Sequence, residues 1–195
     1  CDWSSDVCSS DLMNYWPVYA TNLSECGTTF VDYMDKLREP GRLTAERVHG
    51  IEGAVKNHTG FTVHTENNPF GMTAPTNAQE YGWNPTGAAW AIQNLWWHYE
   101  FTQDEAYLKN TIYPIMKEAA LFWDSYLWTS EYQKINDENS PYNGQNRLVV
   151  APSFSEEQGP TAVGTTYDQS LVWELYNECI KAGKIVGEDE ALLKS

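Results

Sequence analysis

From Trp83 to Trp128 apolar residues recur at helical spacing almost without a break, and this stretch limits the possible folds more than any other. Trp83-Asn84-Pro85-Thr86 reads as a helix start, with Asn84 as cap and Pro85 at the first helical position. Trp90, Asn94, Trp97 and Phe101 then share one face, with Leu95 and Tyr99 beside it. Thr102-Gln103-Asp104-Glu105 has the pattern of a capping box and opens a second helix through Ala106, Leu108 and Ile112. Pro114 breaks or restarts that helix, and Ile115, Ala119, Phe122, Tyr126 and Leu127 continue the apolar stripe.

The flanking segments obey the same rules. Met13-Asn14-Tyr15-Trp16-Pro17 is an aromatic cluster, and Asn22 to Ser24 cap an amphipathic run through Phe30, Met34 and Leu37. Pro40-Gly41 is expected to stop that helix, leaving a short second one over Thr44 to Val48. From His49 to Tyr81 no sustained period is found, and Val63 to Pro69 is either a pocket lining or a surface loop. Asn136 to Asn146 is a polar loop. Gly164-Thr165-Thr166 caps a helix with Leu171, Val172, Leu175 and Cys179 on its buried stripe, ended by Gly183 and Gly187 before Glu188 opens another. Long helices joined by alternately short and long connections, with almost no strand signal, indicate an all-α architecture of helical hairpins.

Charge narrows the choice of ligand. With 27 Asp+Glu against 12 Lys+Arg the net charge is −15, which repels nucleic acid and anionic membrane surfaces alike. No apolar run approaches the roughly 20 residues needed to span a bilayer. The 9 Trp, 12 Tyr and 6 Phe offer flat faces that suit sugar rings, though aromatic residues in helices also serve as plain core. His49, His58, His64 and His98 lack the paired spacing of a zinc site, and no phosphate loop or nucleophile elbow is present, so no metal or cofactor is expected. His98, in an aromatic helix, reads as a core histidine.

Residues 1–12 share neither composition nor patterning with the rest of the chain, and they reverse-translate to a common short-read sequencing adapter. They are expected to be non-native, which reduces the 4 cysteines to Cys26 and Cys179 and makes the count that would suggest a disulfide framework an artefact.

Chemistry is expected in the stretch from Leu148 to Gly159, where an apolar run ends at Pro152 and gives way to Ser153-Phe154-Ser155-Glu156-Glu157. Pro and Gly hold this segment off helix, as a loop leaving buried structure. A carboxyl group there, partly desolvated beside Phe154, can keep a proton near neutral pH, as a glycosidase acid must. A solvated charged turn is the plainer alternative.

Met13 to Pro17, Gly82 to Trp90 running into Leu95-Trp96-Trp97-His98-Tyr99, Tyr113 to Ala120, Ala151 to Glu157 and Tyr167-Asp168-Gln169 together resemble glycoside hydrolase family 95, in order and spacing, over nearly all of residues 13–195. The resemblance implies part of an (α/α)6 barrel truncated at both ends, from a bacterial, secreted or periplasmic α-L-fucosidase acting on α-1,2-linked fucose of oligosaccharides or glycans. Carried over by motif, the general acid falls on Glu157, with Glu156 standing where the family has proline. A charge at Glu156 would raise the proton affinity of Glu157. The family's mechanism is inverting, with its water oriented by two asparagines that would fall near Cys8 and Ser10 and activated by an Asp beyond Ser195. On that reading the chain supplies one wall of a carboxylate gap of about 6.5–9.5 Å and is inactive alone. Asn14, Trp90 and Asp168 are further substrate-binding candidates: Trp90 for stacking on sugar, Asp168 for hydrogen-bonding a hydroxyl or a catalytic side chain. Core packing and helix N-terminal charge are their plainer roles. A non-hydrolytic sugar-binding relative, an α-L-galactosidase and a lyase of similar shape are the competing readings.

Overall fold

The computed structural model describes residues 12–76, 83–155 and 158–188. A 3-10 turn over Met13–Tyr15 leads into α1 (Trp16–Ala20) and the long α2 (Ser24–His49). The single turn α3 (Ala54–Asn57) and an irregular stretch precede α4 (Gly87–Thr102). The chain reverses into α5 (Glu105–Tyr107), a π turn (Leu108–Ile112) and α6 (Tyr113–Tyr126). Two hairpins come next, β1 (Trp128–Lys134) with β2 (Asn146–Val149) and β3 (Ser153–Ser155) with β4 (Gln158–Ala162), and then α7 (Thr166–Val186).

The four long helices pack in a ring, α2 on α4, α4 on α7, α7 on α6 and α6 on α2. Val31, Met34, Ile92, Leu95, Ile115 and Leu175 meet inside it, each almost wholly buried. Both long connections lie at one end of the ring. There the last residue of α2, His49, packs against Phe122 and Tyr126 near the end of α6, and the start of α4 bonds to the start of α7 through Thr86 and Asp168. A site at this end therefore draws on four helix termini and two loops.

The all-α reading holds for this framework, and several details differ from expectation. Pro40 does not stop α2, which runs unbroken to His49. Proline removes one backbone hydrogen bond, and here packing outweighs that loss. Leu37, Gly41, Thr44 and Ala45 are all buried on one stripe, while Arg38 and Arg42 both bond to Glu118 of α6. Gly41 is required for the approach, since a Cβ there would lie 2.8 Å from Thr62 O. Pro114 restarts the helix rather than breaking it: the wider π turn just before it makes room for a ring that cannot donate to the preceding turn. The cap of α5 is Asp104, whose Oδ1 accepts from Tyr107 N at 2.9 Å, and not Thr102, which belongs to the last turn of α4. The hairpins leave no mark in the sequence because they lack alternation. In β1 only Ser130 is buried and in β2 only Val149, so turn geometry and backbone pairing rather than a hydrophobic face define them. Cys26 is exposed and Cys179 buried, and the two are not bonded to each other.

Candidate active site

Asp168, in the first turn of α7, is fully buried, and its carboxylate organises the end of the ring where the loops gather. Oδ1 accepts from Thr86 Oγ1 at 2.9 Å, at the start of α4. Oδ2 accepts from Ser153 Oγ at 2.5 Å and from the Phe154 amide at 3.3 Å. With the Ser153 proton spent on the carboxylate, Ser153 Oγ accepts from Thr165 N at 2.9 Å and from Thr165 Oγ1 at 2.7 Å. Thr165 is the N-cap of α7 and takes the Asp168 amide at 3.4 Å. Asn84 completes the group, its Oδ1 accepting from Thr86 N at 3.0 Å and lying against the Thr86 hydroxyl, whose single proton goes to Asp168. Asn84 thus caps a turn two residues before the helix rather than the helix itself, which begins at Gly87.

The neighbouring residue holds the other end of the same segment. Gln169 accepts from Val150 N at 2.8 Å and donates to Leu148 O at 3.1 Å, filling the edge of β2 with a side chain. Gly164 N closes onto Val150 O at 2.9 Å. Residues 148–154 are therefore fastened at both ends to consecutive residues of one helix, with a cis Ala151–Pro152 peptide between the fastenings. Burial pushes the Asp168 carboxyl above the ordinary aspartate range, and the bonds from Ser153, Thr86 and the Phe154 amide pull the other way.

A ring cluster lies at this same end. His49 and His64 stack with centroids 5.1 Å apart and their Nε2 atoms 3.3 Å apart, flanked by Trp83, Phe122 and Tyr126. His64 Nδ1 donates to Thr73 O at 2.8 Å, which leaves its Nε2 to accept from His49. Burial holds both neutral, pushing His49 down to about 3 and His64 to about 4. The Tyr126 hydroxyl is pushed up to about 12 by burial and by the charge of Asp168.

The expected site residues fare differently. Glu157, with Glu156, lies outside the described residues, but Ser155 and Gln158 on either side are register partners of the β3–β4 hairpin. Asp168 sits at the base of that hairpin. Trp90 is half-buried on α4, edge-on to Tyr167 at 6.1 Å, and lines a narrow cleft with Tyr33, Thr65 and Asn67. Asn14 is exposed in the first turn and takes no part in the bonds around Asp168. His98 is buried as expected, between Tyr19 and Tyr107, with no partner on its Nδ1 among the described residues. Thr86, Ser153, Thr165 and Gln169 carry no signal in the sequence that marks them as site residues. Ser and Thr in loops are too common to stand out, and only their convergence on one carboxylate distinguishes them.

No helix of the described residues is long and apolar enough to cross a membrane. Among known proteins, the chain is 34% identical over 200 residues to a probable alpha-fucosidase A of Aspergillus niger, an alignment covering 99% of this chain and 23% of that protein. It is 26% identical over 179 residues to alpha-L-fucosidase 2 of Arabidopsis thaliana, covering 90% of this chain and 20% of the relative. The chain thus spans about a quarter or less of these fungal and plant relatives. The family model described as the glycosyl hydrolase family 95 catalytic domain matches residues 2–195, and the chain belongs to that family.

Proposed function

We propose that the chain is part of the (α/α)6 barrel of an inverting α-L-fucosidase, with Glu157 as the acid that protonates the departing glycan oxygen. The observation that carries this reading is the fastening of residues 148–154 to α7, which gives the adjoining hairpin a rigid base where the starts of α4 and α7 meet. A general acid must be held to within a fraction of an ångström of the oxygen it protonates, and a hairpin on a buried anchor meets that need better than a free loop. An inverting reaction also needs a water-activating carboxylate across the sugar, and we place that group and the water-orienting asparagines in parts of the protein beyond residues 13–195. The 195 residues alone are then inactive. Fucosylated oligosaccharides or glycans met outside the cell or in a periplasm are the substrates this reading implies.

The test is hydrolysis of a 2'-fucosylated oligosaccharide by the full-length protein. Release of L-fucose, with the β-anomer appearing first by NMR and a loss of about 100-fold or more in Glu157→Gln, supports the assignment. Full activity in Glu157→Gln with loss in Glu156→Gln moves the acid by one residue. Sugar binding with no hydrolysis, or preferential release of L-galactose, overturns the fucosidase reading.

A further inference from the structure

We infer that Asp168 is a positioning residue for the general acid: through Ser153 Oγ and the Phe154 amide its carboxylate sets where the acid-bearing hairpin stands. The inference rests on the assignment of the acid to Glu157. Three observations carry it. Asp168 and Ser153 are both fully buried, so the 2.5 Å bond between them does not compete with water. The same carboxylate bonds Thr86 of the α4 start, so the hairpin is referred to two helices at once. The bonds reach the Ser153 hydroxyl and the Phe154 amide, four and three residues before Glu157, close enough that a shift at the anchor is passed along β3.

Charge explains why the residue is an aspartate. Two hydroxyls and an amide converge on it, and a carboxylate accepts from all of them at once. An asparagine of the same shape would turn an NH2 toward at least one of these donors. Removing the acceptor would therefore displace the Phe154 amide and Ser153 while leaving the packing of α7 in place. Asp168 is fully buried under its three donors, so on this reading it acts through the hairpin rather than on the sugar.

Leaving-group dependence separates positioning from general stability. A natural fucoside leaves a sugar alkoxide that must be protonated as the bond breaks, whereas dinitrophenyl α-L-fucoside leaves a weakly basic phenolate that needs no acid. In the full-length enzyme, Asp168→Asn is expected to lower kcat on the oligosaccharide by about 10- to 100-fold, with KM within a factor of about two and little loss on the dinitrophenyl fucoside. Ser153→Ala, which leaves the Phe154 amide bond intact, should show the same selectivity with a smaller loss, and it carries the test if Asp168→Asn fails to fold. Equal losses on both substrates overturn the inference, and so does full activity on both. Glu157→Gln run alongside keeps the two readings apart. If it lacks the selectivity, the assignment of the acid fails; if it has the selectivity and neither variant shares it, positioning by Asp168 fails.

Discussion

Trp90 shows how a residue of a type that suits a sugar is placed by its neighbours. Its ring meets Tyr167 edge-on at 6.1 Å and lines a narrow cleft beside Tyr33 and Asn67, whose hydroxyl and amide oxygen bond to each other. Packing between α4 and α7 is the role this geometry favours. Trp90→Ala in the full-length enzyme is expected to cost about 2 kcal/mol of stability with KM unchanged. A raised KM at an unchanged melting temperature would return Trp90 to the sugar. Asp168 is the opposite case. An acidic residue in a first turn reads equally well as a helix-dipole charge, and only its complete burial under three donors distinguishes it.

Among the elements, α2 depends most on its surroundings. A proline in the middle of a helix is read as a stop because an isolated helix loses a bond and gains a clash there. In the folded chain the turn containing Pro40 and Gly41 is pressed against Phe61 and Thr62, and Glu118 of α6 binds Arg38 and Arg42 on either side of it. Gly41→Ala would bring a Cβ within 2.9 Å of Phe61 Cδ2 and 2.8 Å of Thr62 O. Because the second of these is backbone, the substitution is expected to destabilise by about 1–3 kcal/mol, read as a lowered denaturation midpoint with an unchanged slope. Glu118→Ala removes the carboxylate, 5% exposed, from between two cations that are 21% and 16% exposed, and is expected to cost about 2 kcal/mol or more. An effect of either change below about 0.5 kcal/mol would mean that α2 is held by its apolar stripe alone.

The whole molecule carries opposing pH dependences. His49 and His64 are held neutral by burial, pushed from 6.5 to about 3 and about 4, so the unfolded chain binds their protons more readily. Stability that they contribute is complete above pH 6.5 and is lost as pH falls toward 4. Glu178 is 3% exposed and its Oε2 has no partner among the described residues, and burial beside Glu174 and Glu100 pushes it up to about 8. The folded state binds this proton more tightly than the unfolded one, so stability falls as pH rises from 4.5 to about 8. Glu178→Gln is expected to raise the melting temperature at pH 9 by roughly 5 °C and to leave the acid limb untouched. An unchanged alkaline limb would mean that Glu178 is ionised and solvated. The helical framework was legible because apolar stripes at helical spacing and caps such as Thr165 are local signals, and the resemblance around Glu156 and Glu157 was legible because its motif is contiguous. The hairpins, the run of α2 through Pro40, the histidine pair and the convergence of Thr86, Ser153 and Asp168 were not. The sequence by itself determined where the main helical stripes lie and which segment bears the adjacent carboxylates, since both depend on neighbours along the chain. Only the tertiary structure decided what holds that loop, because residues 86, 153 and 168 meet through burial and hydrogen bonds between segments far apart in sequence, and no local period records such a meeting.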